Sequence, residues 1–243
     1  LEITNQPEEF AMRDSIYTIP VSEVFEPKCG CPICSMERTL EQRCVEYIMG
    51  AAMMEPDVRI ETNRLGFCVK HFDQMLHQKN RLSLALMLES QLKELAAADF
   101  KDIKTRAETK AKKREGVPTI NHTCFVCEKI EWGLSRMLIT VADQYAKDEE
   151  FRRLFSEQEF LCLPHLERVL CAGADHLPKK VWLQFKEAAL ELARKPLKEV
   201  GEDVSHFCKM FDYRNAGEGA DWGNSRDSIE RAIRLLTGVD FRE

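Results

Sequence analysis

CPICSMERTLEQRCVEYIMGAAMM, residues 31–54, opens on two cysteines three apart and runs on as an amphipathic helix. Met36, Leu40, Cys44, Tyr47, Ile48 and Ala51 fall near one face of a 3.6-residue period. Outward from this stretch the helical pattern continues. Residues 65–80 contain a second helix with Phe72, Met75 and Leu76 as its apolar stripe. Residues 81–115 read as one long helix, apolar at first and polar later, ended by Gly116 and Pro118. Further helices are expected from about 124 to 146, over 149–155, from 161, and over 178–194, where Pro196 interrupts. Residues 225–237 read as a final helix, with Ser225 as its N-cap and Gly238 past its end. Alternating Val/Ile/Thr runs and Asn-Gly hairpins are missing. The expected fold is all-α: a helical bundle-like body of two pseudo-repeated units, plus a C-terminal helix.

The repeat lies in the chemistry. Cys31 and Cys34 are followed by Cys68 and His71; Cys124 and Cys127 are followed by Cys162 and His165. The offset is 93 for 31→124 and 34→127, and 94 for 68→162 and 71→165. Context repeats as well: Asp57-Val58-Arg59 matches Glu150-Phe151-Arg152, and apolar Phe67 and Leu161 precede the third cysteines. This is the signature of an internal duplication of about 93 residues. A CxxC at a helix start can share one ion, because backbone N–H groups and the positive end of the helix dipole favour thiolates. A CxxH at a second helix start completes a closed set of three thiolates and one imidazole, a common structural zinc set. Read in chain order, Cys31, Cys34, Cys68 and His71 hold one ion, and Cys124, Cys127, Cys162 and His165 another. The expected cofactor is therefore two zinc ions.

Rival readings stay open. A lone CxxC is weak and fits a disulfide; one tetrad is moderate; two at a constant offset are strong. Cys29 and its offset partner His122 make a fifth candidate in each unit, as bystanders or outer-shell donors. Four thiolates, with Cys29 in place of His71, would suit an iron–sulfur cluster and electron transfer. A metal- or redox-responsive regulator is a further alternative. Cys44, Cys171 and Cys208 read as small core residues, and His77, His176 and His206 as ordinary surface or core histidines.

The chain has 243 residues, 44% of them hydrophobic, a net charge of −6 and ten cysteines. That composition excludes wholesale disorder, and the acidic balance argues against a general binder of nucleic acid or anionic membranes. The first residues lack a basic-then-apolar secretory pattern, and the densest apolar run, 82–88, is far short of the roughly 18 residues of a span. A cytoplasmic, soluble protein is expected, since in a reducing compartment cysteines serve more often as ligands than as structural disulfides. The basic stretch 101–115 reads as a solvated joining helix rather than a nucleic-acid surface. Phe211, Tyr213, Arg214 and Trp222 in the tail read as a pin onto the helical body, with a partner anchor as the rival. Neither a Gly-rich phosphate loop nor a GxSxG elbow occurs, and closed coordination points away from catalysis. The function these features favour is a non-enzymatic scaffold or adaptor for an unknown protein partner.

CPIC at 31–34, GFCVKHF at 66–72 and FDYRN at 211–215 with its final amphipathic helix resemble an uncharacterised bacterial family, a domain of unknown function. The resemblance spans nearly the whole chain and implies no activity. The domain plan expected is an N-terminal segment 1–28, a first helical metal-binding repeat 29–115, a second 116–198, and a C-terminal loop and helix 199–243 packed on the body.

Overall fold

Helix starts and stops follow from a few residues. The computed structural model describes residues 21–98, 123–212 and 221–240. Pro32 opens α1 (Pro32–Met49), where a missing N–H costs nothing. A 3₁₀ turn (Ala51–Met54) leads to α2 (Pro56–Leu65), which starts with Pro56 and carries Asp57 in its first turn. α3 (Val69–His77) follows Cys68, and α4 (Arg81–Ala98) is capped by the Asn80 side chain, which accepts the Ser83 N–H at 3.3 Å. α5 (Phe125–Lys147) begins right after Cys124. The side chain of Asp148 accepts the N–H of Glu150 and starts α6 (Glu149–Ser156). α7 (Leu163–His176), α8 (Lys179–Met210) and α9 (Ser228–Thr237) complete the order. Among the described residues there is no strand, and the all-α expectation holds.

Packing divides the chain into two compact units. One joins the residues up to Glu37 with those from Ser135 onward; the other is Arg38–Leu134. Both boundaries fall inside helices, α1 and α5, which pass between units in opposite senses. The first unit is centred on aromatic rings. Phe25 lies 5.1 Å from Phe151, Phe155 lies 5.1 Å from Phe185, and Tyr145 lies 4.9 Å from Phe185. These are offset or edge contacts worth more than their buried area. The second unit packs Val45, Ile48 and Met49 of α1 with Leu65, Met75, Leu84, Met87, Phe125 and Ile130. The α1 stripe is therefore Ile33, Met36, Leu40, Cys44, Val45, Ile48 and Met49; Tyr47 and Ala51, expected on it, are exposed, and Tyr47 reaches Glu55 instead.

α2 lies outside every helix expected from the sequence, and three further expectations are corrected. Asp227, not Ser225, precedes the last helix. Cys171 and Cys208 are exposed rather than core, while Cys44 is half-buried against the second unit's core. Pro196 lies inside α8 and does not interrupt it. The missing N–H of Pro196 frees the carbonyl of Leu192, four residues back, and that oxygen accepts the N–H of Leu161 at 3.1 Å. Phe207, Phe211 and Trp222 pack ring to ring at 5.0–5.9 Å, as a pin would. Tyr213, Arg214, His122 and the basic stretch 101–115 lie outside the described residues.

Candidate metal centres

Both tetrads exist, but their membership crosses the sequence. Cys31 and Cys34 meet Cys162 and His165; Cys68 and His71 meet Cys124 and Cys127. The chain-order pairings, Cys31/Cys34 with Cys68/His71 and Cys124/Cys127 with Cys162/His165, are overturned. α1 has 18 residues and carries the chain about 27 Å away from its CxxC. Cys68 and His71 then fall in the compact unit that holds Cys124 and Cys127, while Cys162 and His165 fall in the unit of Cys31 and Cys34.

Short contacts dock each CxxC on the other half's turn. In the first unit the Gly30 N–H donates to the Glu159 carboxylate and Lys28 pairs with Glu157, so the loop before Cys31 sits on the turn before Cys162. Leu161, the residue before Cys162, is tied to Leu192 as described above. In the second unit Gly66 ends α2 with φ +62, a left-handed conformation glycine adopts without strain. Its carbonyl accepts the Phe125 N–H at 3.0 Å, and the Thr123 hydroxyl donates to the Leu65 carbonyl at 2.7 Å. The repeated arginines serve the frame: Arg59 donates to the Leu86 carbonyl at 2.8 Å, and Arg152 to the Tyr145 carbonyl at 2.7 Å.

The donor atoms of each tetrad lie within 4.8 Å of one another. For Zn–S bonds of about 2.3 Å and Zn–N of about 2.0 Å, a tetrahedron has edges of roughly 3.5–3.8 Å. In the first unit Cys34 Sγ is 3.6 Å from Cys162 Sγ, and His165 Nδ1 is 3.1 Å from Cys162, 3.2 Å from Cys34 and 3.8 Å from Cys31. In the second, Cys68 Sγ is 3.9 Å from Cys127 Sγ, and His71 Nδ1 is 3.1 Å from Cys68, 3.2 Å from Cys124 and 3.5 Å from Cys127. These edges bracket the tetrahedral values, so the donors fit one four-coordinate ion per site. The cysteines are free thiols.

Each imidazole turns Nδ1 inward and Nε2 outward to a carboxylate. His71 Nε2 donates to Glu41 at 2.8 Å, and His165 Nε2 meets Glu37 at 3.2 Å. A carboxylate behind a ligating histidine fixes the tautomer that leaves Nδ1 free for a metal. Both carboxylates lie on α1, four residues apart.

The electrostatics fit a cation. Burial opposes charge on Cys124, yet hydrogen bonds from His71 and from backbone N–H groups of Cys127 and Cys68 hold it down at about 6. Burial also opposes the charged imidazoles, but thiolates and carboxylates hold His71 at about 10 and His165 at about 11. Cys31 stays well below the thiol range despite burial, through hydrogen bonds from Cys162, Cys34 and His165. Cys34 is driven the other way by hydrogen bonds to Cys162 and Cys31, and burial with the nearby Cys124 charge pushes Cys127 up to about 12. Glu41 is held at about 2: burial opposes, but His71, Lys70 and Gln74 bond its charged form. Metal-free, each site holds an imidazolium beside a thiolate and a protonated thiol, and a divalent ion would displace those protons.

The model of a family of unknown function, DUF6062, matches residues 12–243. The chain belongs to this family. No curated protein and no solved structure matches it.

Three contributors in this DUF6062 chain escaped sequence reasoning. Glu37 and Glu41 had no visible partner, because their histidines come from distant stretches. Gly238, read only as a helix terminator, has φ +76 and its Cα side faces Cys162 Sγ and Cys34 Sγ; a Cβ there would lie 3.2 and 3.3 Å from them. Its carbonyl accepts the Cys34 thiol at 3.4 Å. Cys29 is exposed and belongs to neither tetrad. No helix among the described residues is long and apolar enough to cross a membrane.

Proposed function

We propose that this chain is a non-enzymatic helical protein whose two tetrads hold structural zinc, and that it acts in the cytoplasm as a scaffold or adaptor for a protein partner. The observation that carries the reading is the donor geometry: three sulfurs and one inward Nδ1 at near-tetrahedral edges, with a carboxylate behind each imidazole. Four donors within 4.8 Å enclose the volume of a single ion rather than of a multi-iron core. Four protein ligands close the coordination sphere and leave no position for a substrate. Both halves of the chain run long helix, short helix, then a helix entered by Cys and carrying His one turn in, which supports an internal duplication. Each ion would staple helix starts that the chain order keeps far apart.

The test is elemental analysis with an absorbance spectrum on anaerobically purified protein. The expected result is a colourless protein with about two zinc per chain, as two closed sites require. A metal-free protein that takes up no zinc, or a coloured one with iron and sulfide, overturns the reading.

A further inference from the structure

The two tetrads differ in how far they can be reached. In the first unit Cys31 is 2% exposed, Cys162 0% and His165 5%; Cys34 is half-buried, and Gly238 packs on its sulfur and on that of Cys162. In the second unit His71 and Cys124 are buried, but Cys68 is half-buried and Cys127 is exposed. Val69, between Cys68 and His71, is 85% exposed, so this knuckle of chain lies open to solvent. A sulfur that holds an ion is deprotonated, and among such sulfurs the accessible ones are where electrophiles and oxidants act while buried ones are inert.

We propose that Cys127 is a site of oxidative and electrophilic modification, and that its reaction opens the Cys68/His71/Cys124/Cys127 tetrad while the buried tetrad stays closed. This rests on the metal-binding reading above. The co-reactant is a peroxide. The Cys127 sulfur attacks one peroxide oxygen; an S–O bond forms, the O–O bond breaks, and the departing oxygen leaves as water after protonation. Sulfur is oxidised by two electrons and the peroxide reduced by two, giving a sulfenic acid. The Cys68 thiolate, 3.9 Å away, then attacks the Cys127 sulfur. An S–S bond forms, the S–O bond breaks, and hydroxide leaves to be protonated to a second water. Two ligands are lost together, so the remaining Cys124 and His71 cannot retain the ion.

The experiment uses the full chain carrying Cys29→Ser, Cys171→Ser and Cys208→Ser, which removes exposed cysteines outside both tetrads. After metal content is measured, hydrogen peroxide is added in steps, or iodoacetamide in a parallel series. Released metal is read with a chromogenic chelator, and modified positions by peptide mass spectrometry. One ion per chain should leave at least about tenfold faster than the other, as the exposure contrast implies. Carboxamidomethyl should appear first at Cys127, and a Cys68–Cys127 disulfide should form with peroxide. Equal release of both ions, or Cys34 modified as fast as Cys127, overturns the proposal and leaves the two-site reading standing. A chain that holds no metal at the start overturns both.

Discussion

Paired cysteine variants separate crossed tetrads from chain-order ones by counting ions. Cys31→Ala with Cys162→Ala removes two ligands from one tetrad; Cys31→Ala with Cys68→Ala removes one from each. Each site keeps its ion only with its ligand set, and structural zinc is worth an apparent 10–16 kcal/mol or so in small folded modules. Losing one of four ligands is therefore enough to empty a site at ordinary free-metal levels. The first pair should retain one ion per chain and the second none. Chain-order pairing predicts the reverse. Stability should follow the same logic. Two changes within one tetrad are strongly non-additive, since the second acts on a site already lost, whereas changes in separate tetrads add within about 0.5 kcal/mol. Native mass spectrometry of the soluble protein reads ions per chain directly, and thermal melting reads the coupling. One ion on the Cys31/Cys68 pair and none on the Cys31/Cys162 pair would refute the crossed assignment.

Three other perturbations probe the surroundings of the sites. Glu41→Gln keeps the shape but weakens the acceptor behind His71; affinity at that tetrad should fall about 10–100-fold, with a smaller effect from Glu37→Gln, because Glu37 is 45% exposed and Glu41 12%. Competition with a chelator of known affinity checks this, and unchanged binding in Glu41→Gln refutes it. Gly238→Ala places a Cβ against two ligand sulfurs at φ +76; the left-handed backbone alone costs about 1–2 kcal/mol, or roughly 2–8 °C in melting temperature for a chain of this size. A wild-type melting curve would count against it. At pH 7–8 the metal-free His71, raised to about 10, and Cys127, raised to about 12, both hold protons that an ion must displace. Affinity at that tetrad should therefore rise with pH, by at least about a hundredfold per unit from these two protons. The imidazolium's own contribution to metal-free stability has its own window, present below the usual histidine range and lost as pH rises through about 10. Titrations at pH 7 and 8 measure the first effect, and a slope below two protons would show that the ligands are already deprotonated.

The eight Cys and His residues of the two candidate clusters, the helical class and most helix positions could be read from the sequence, because each rests on local signals: period, Pro at a first turn, the repeated Cys/His spacing. What failed was non-local. Pro196 reads as a breaker in isolation; only the amide of Leu161, 35 residues earlier in the chain, shows why the freed Leu192 carbonyl is tolerated. Tyr47 fits the apolar period of α1, but the neighbours that decide its burial come from elsewhere. Glu37 and Glu41 look like solvated charges on one helix until histidines from residues 165 and 71 arrive behind them.

The crossed tetrads follow from the same limit. Matching Cys/His spacings make two pairings equally legible, since spacing says which residues could bind an ion and nothing about which of them share one. The deciding observation is where α1 delivers the chain: its 18 residues lead about 27 Å away from Cys31 and Cys34, and Cys68 and His71 then fall in the same compact unit as Cys124 and Cys127. Pro56 followed by Asp57 is a helix-start signal, and the end of the helix it opens is held on the start of α5 by the Phe125 N–H on the Gly66 carbonyl and the Thr123 hydroxyl on the Leu65 carbonyl. Neither half then holds a complete tetrad, and folding of one half should depend on the other through the ions they share.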